Sequence, residues 1–118
     1  MATASKLKSL ERMLCEATGS DQDLDRSIAS TLGGTTADND LPSYTSSVDN
    51  CIGLIETTLP KWHWHIGHGP AGIVPYASLR REGGAARLGR LRVEASACTV
   101  PLALLHATVK ALQAELQF

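Results

Sequence analysis

The chain has 118 residues, of which 43% are hydrophobic and 19% charged; that fits one packed domain and argues against wholesale disorder. Eleven Lys and Arg stand against twelve Asp and Glu, for a formal net charge of -1, which excludes a globally basic nucleic-acid binder but not a local basic patch. Aromatic residues are 4% (Tyr44, Trp62, Trp64, Tyr76 and Phe118), so the core must be mostly aliphatic.

From Leu7, Leu10, Leu14 and Ala17, spaced by three and four residues, the period predicts a first helix, with Ser5 as its cap and Gly19 as its stop. Ser20-Asp21-Gln22-Asp23 resembles a capping box, and Leu24, Ile28 and Leu32 then share a face, so a second helix follows and ends at Gly33-Gly34. Residues 33 to 43 are polar and without period, and read as a surface loop. Ser46 and Asp49 mark a third helix start; Val48, Cys51, Ile52, Ile55 and Leu59 form its apolar stripe, and Pro60 closes it.

The period then changes from 3.6 to 2. Trp62, Trp64 and Ile66 alternate with His63 and His65, as in a half-buried strand. Gly67 to Gly72 reads as a turn. Ile73, Val74, Tyr76 and Leu79 suggest a second strand, with Pro75 arguing for an edge or irregular position. Leu88, Leu91 and Val93 suggest a third, weakened by Gly83, Gly84 and Gly89 and therefore also an edge. Thr99 caps a last helix, Pro101 lies in its first turn, and Leu102, Leu105, Val109, Leu112 and Leu116 form its stripe, with Lys110 and Glu115 outside.

The expected fold is therefore a single α+β domain over residues 1–118, in the order α-α-α-β-β-β-α. A helical hairpin (1–34) and a loop (35–43) precede an α-β-β-β-α core (44–118). Its three-stranded antiparallel meander packs on helices, with the third and last helices on one face and the Trp62/Trp64 side buried beneath them.

The longest apolar run falls far short of the ~20 residues a membrane helix needs. Met1 to Leu10 lacks the apolar stretch of a secretory signal. Cys15, Cys51 and Cys98 are odd in number and contain no CxxC, which points to a reducing cytoplasm and to cysteines serving as small buried hydrophobes. Cys98, just before a helix start, is the one placed for thiolate chemistry.

Three segments carry a resemblance. Leu10-Glu11-Arg12-Met13-Leu14-Cys15-Glu16-Ala17-Thr18-Gly19 with Asp23 to Ala29, then Tyr44-Thr45-Ser46-Ser47-Val48-Asp49 with Leu54 and Pro60-Lys61-Trp62-His63-Trp64, and finally Thr99 to Leu105 with Ala107 and Ala111, resemble the phage ABA-sandwich domain family, small proteins of bacteriophages and prophages, chiefly of alphaproteobacteria. The resemblance implies a fold and an origin in a phage or prophage, with no catalytic residue and no cofactor.

His63, His65 and His68 lie within six residues, and imidazoles so placed can ligate Zn²⁺, Ni²⁺ or Cu²⁺; the alternative is a solvated strand face opposite the tryptophans. Arg80, Arg81, Arg87, Arg90 and Arg92 cluster in the second and third strands, a candidate nucleic-acid-binding face or a solvated basic one. The helix–three-strand–helix order is similar to the double-stranded-RNA-binding fold, and Gly69-Pro70 fits its first turn, but Cys98 to Ala103 carries none of that fold's lysines. P-loop, GxSxG, HExxH and dinucleotide signatures are absent from the sequence. The expected function is a non-enzymatic accessory protein that binds a phage or host protein, with self-association through a sheet edge as one form of it and nucleic-acid binding as the alternative.

Overall fold

The computed structural model describes residues 4–33, 42–69, 74–82 and 90–117. Its elements are α1 (Ala4–Glu16), α2 (Gln22–Ile28) continued by a π-helical turn (Ala29–Gly33), α3 (Val48–Thr58), β1 (Trp62–His68), β2 (Pro75–Glu82), β3 (Arg90–Ser96) and α4 (Val100–Gln117). The strands form one antiparallel sheet in the order β1-β2-β3. The α+β class and the element order agree with the sequence reading. The expected 35–43 loop falls almost wholly outside the described residues, as do Ile73, Leu88 and Gly89.

Local chemistry sets the helix ends. Asp21 accepts from the Leu24 N–H at 3.1 Å, and Thr99 Oγ1 from the Leu102 N–H at 3.3 Å, each satisfying an orphan donor of a first turn. For α3 the cap is Ser47, which accepts from the Asn50 N–H at 3.2 Å, not the expected Ser46. Ser5 lies inside α1, so it is no cap. α3 stops two residues before Pro60, as a proline requires of its predecessors.

The helix that organises the core is α4. Leu102, Ala103, Leu104, Leu105, Ala107, Thr108, Val109 and Ala111 are all buried, which surrounds most of the helix rather than marking one stripe. One side of α4 lies across β2 and β3, and another receives α1 and α3. The arrangement is thus sheet, then α4, then a layer of helices. Two expectations change here. α3 packs on α4 and the π-helical turn instead of sharing the sheet face, and the stripe of five residues understates the burial of α4. The alanines are the reason: small side chains let the backbone approach neighbours on both sides.

A buried polar link fastens α2 to the segment before α3. Asp25, 5% exposed, accepts from the Thr45 N–H at 2.7 Å, and Thr45 Oγ1 accepts from the Asp21 N–H at 2.8 Å. The Cys51 thiol donates to the Tyr44 carbonyl at 3.1 Å. Burial first, and the Asp25 charge second, push this thiol up from 9.0 to about 12. Cys51 therefore fits the expected buried role, while Cys15 and Cys98 are exposed and do not.

Candidate functional site

Strand register sorts the candidate residues onto two faces. Alternation along β1 puts Trp62, Trp64, Ile66 and His68 on one side and His63 and His65 on the other. Pairing then aligns His63, Arg80 and Arg92 in one row across the three strands, and His65, Ser78 and Glu94 in the next. These rows lie on the face away from α4. His63, His65, Ser78, Arg80 and Arg92, with Trp64 at the rim, line a cleft of about 290 Å³ there. At its end Tyr76 covers Gly67, where an added Cβ would come within 3.2 Å of the ring, and the His65 and Tyr76 rings stand 6.0 Å apart.

The five arginines do not act together. Arg81, one residue after Arg80, points to the helix side. There its Nη1 donates to Glu115 Oε1 at 3.0 Å, and Trp62 Nε1 donates to the same oxygen at 2.7 Å. Glu115, expected on the outside of its helix, is instead the shared acceptor that ties α4 to both strands. Arg81 is thus a structural residue, and its inclusion in a basic surface is corrected. Arg92 pairs with Glu94 on its own strand, which offsets half of the charge that Arg80 and Arg92 bring. Arg87 lies outside the described residues. Arg90 stands opposite Glu82 in the register.

The histidine trio is divided as well. β1 continues through His68, so His68 is a strand residue on the face opposite His63 and His65 rather than a turn residue free to join them. Among the described residues, no three His, Cys, Asp or Glu come close enough to hold a metal ion. His106 is held by Glu11, its Nε2 lying 3.1 Å from Oε2.

Among the described residues β1 and β3 are the outer strands of the sheet, and their chemistry differs. β3 carries Arg92 and Glu94 along its length, charges of the kind that discourage pairing with another chain. β1 reads Trp-His-Trp-His-Ile-Gly-His, with no Lys, Arg, Asp, Glu or Pro. Trp62 is buried, but Trp64 is 41% exposed, contrary to the expectation that both tryptophans would be covered. α4 crosses β2 and β3 and reaches β1 least, so among the described residues α4 leaves the outer part of β1 less covered. Beside it, Ile55 and Leu59 of α3 join Trp62 and Trp64 in a shallow groove. Pro75, expected at an edge or irregular position, is the first residue of the central strand, where its missing N–H is tolerated.

No described helix is long and apolar enough to cross a membrane. Comparison with protein-family models, with curated proteins and with solved structures finds no match to this chain.

Proposed function

We propose that this chain is a non-enzymatic interaction module of phage or prophage origin, working in the bacterial cytoplasm, that binds an extended segment of a phage or host protein along β1. The carrying observation is the β1 edge: seven residues long, without a charged side chain other than histidine, and flanked by the half-exposed Trp64. An extended peptide added there would gain main-chain hydrogen bonds from the ladder, and the Trp64 ring would bury against an apolar side chain of the peptide. The three sequence segments that resemble the phage family support the origin.

Selection of displayed peptides on the intact chain tests the reading. Binders should protect β1 amides from hydrogen exchange and should bind at least tenfold more weakly to Trp64→Lys, since a charge guards an edge. Peptides that bind equally well to that variant, or protect only other strands, would overturn the proposal. Self-pairing through β1 would appear instead as a concentration-dependent dimer in sedimentation.

The His63–Arg80–Arg92 row favours a second reading, nucleic-acid binding on the open face. It requires affinity for duplex DNA or RNA that falls steeply with salt and falls further in Arg80→Ala/Arg92→Ala. Affinity undetectable at low salt would remove it.

A further inference from the structure

The cleft on the sheet face away from α4 has a buried polar floor and a basic rim. Ser78, in the middle of the central strand, is 8% exposed and forms the floor. His65 stands beside it on β1, His63 and Arg80 occupy the next row, and Arg92 lies beyond Arg80 on β3. These four longer side chains are exposed and shade the serine. Neighbouring strands lie about 4.8 Å apart and successive rows on one face about 7 Å, so the groups converge on one small volume.

Donors predominate in that volume. Among the described residues, neither the Arg80 guanidinium nor the Ser78 hydroxyl has a side-chain partner. A guanidinium only donates, and an imidazole carries at least one N–H in either tautomer. Arg80 also stands directly opposite Arg92, and like charges so placed destabilise a sheet. Glu94 relieves Arg92 alone, through Nη2, and leaves the other N–H groups of that guanidinium unused. An anion between the two arginines would relieve both.

We propose that this cleft binds the phosphoryl group of a small phosphate monoester, with the organic part of the ligand against Trp64. Arg80 supplies charge and paired donors, His63 and His65 donate from β1, and Ser78 donates from the floor. Trp64, half-exposed at the rim, adds an apolar wall. A few convergent polar groups beside an aromatic surface are the usual makings of a small-ligand site.

The same charges favour one phosphoryl group over a nucleic-acid backbone, which needs a succession of cations. Arg81 is turned away and held by Glu115. Glu94 occupies the row next to Arg80 and Arg92, where a second phosphate would meet a carboxylate. The site uses side chains of the sheet face and not the free backbone of β1, so it stands independently of peptide binding there.

Titration of the intact isotope-labelled chain with phenyl phosphate at fixed ionic strength, read by amide chemical shifts, tests the assignment. The shifts should saturate and centre on His63, His65, Ser78 and Arg80. Inorganic phosphate should move the same amides but bind at least about threefold more weakly, because it leaves Trp64 uncovered. Arg80→Gln should weaken phenyl phosphate by about tenfold and Ser78→Ala by about threefold. Arg80 is exposed, so its variant should keep the fold; if Ser78→Ala does not, Arg80→Gln decides. Shifts that never saturate or that scatter over the surface, equal affinity for the two probes, or unchanged affinity in Arg80→Gln would overturn the proposal. Duplex DNA binding more than about tenfold tighter than phenyl phosphate at equal phosphate concentration, and lost in Arg80→Gln, would also overturn it and assign the face to nucleic acid.

Discussion

The two edges of this sheet are made from the same backbone geometry and differ in what their side chains permit. β1 and β3 each have seven residues and each pairs antiparallel with β2. Along β3, Arg92 and Glu94 place full charges where another strand would have to desolvate them. β1 carries no Lys, Arg, Asp or Glu, and holds a tryptophan left half in water. The sheet thus carries full charges on one outer strand and none from Lys, Arg, Asp or Glu on the other. Open backbone groups alone do not make a binding edge; the side chains beside them decide.

The largest effect should come from the strand both edges share. Leu79 is fully buried and aligned with Trp64 on one side and Val93 on the other. Leu79→Ala should cost about 2–5 kcal/mol by chemical denaturation, the usual result of a core cavity. A loss confined to one edge, seen as hydrogen exchange changing in β1 or β3 alone, would break the symmetry assumed here. Next is Glu115→Ala, which removes the acceptor shared by Trp62 and Arg81. It should cost about 1–3 kcal/mol, because two partly buried donors lose their partner, and should raise exchange in β1 more than in β3. A uniform loss across the sheet would show that Glu115 serves α4 rather than the strands.

A third test converts the charged edge. Arg92→Val with Glu94→Val should change monomer stability by less than about 1 kcal/mol yet produce concentration-dependent association through β3, visible by light scattering. A variant that stays monomeric at high concentration would mean that those charges are not what protects β3. The smallest effect concerns pH. Burial raises Glu11, but hydrogen bonds from His106 and Gln113 leave it depressed in the fold, so its contribution is present above the unfolded value, near 4.5, and is lost as pH falls through the lower folded value. Glu11→Gln should remove that acid-range dependence from thermal unfolding curves and leave the exchange of both edges unchanged.

Much of the architecture could be read from periodicity, because the helices and strands here differ cleanly in period and their caps are explicit. Thr99, Asp21 and Pro60 act as their residue types require. What escaped was set by packing between elements. Arg80 and Arg81 are adjacent in sequence and lie on opposite faces of β2; alternation reveals that, but only register with β1 identifies the face α4 covers. Trp62 and Trp64 share a face and differ in burial because Trp62 is tied to Glu115 of α4 while α4 reaches β1 least of the three strands, a matter no single strand encodes. Cys15 and Cys51 each sit near an apolar stripe, yet one is exposed and the other lies under Tyr44. The Glu11–His106 pair joins residues 95 positions apart, so local spacing carried no trace of it.

The position of α4 also governs the order in which the molecule can be assembled. It follows every other element in the chain, yet it is the partner against which both the sheet and the helical layer bury their apolar sides. Until α4 has been synthesised, the strands and the first three helices lack the helix against which both layers pack, and many of their leucines stay in contact with water or with one another. The fold therefore waits for its latest segment, and its closing contacts span long stretches of chain, a topology associated with slow folding. A nascent chain halted before Val100 would present the same apolar faces to chaperones and proteases, so removal of unfinished copies follows from where this one helix sits.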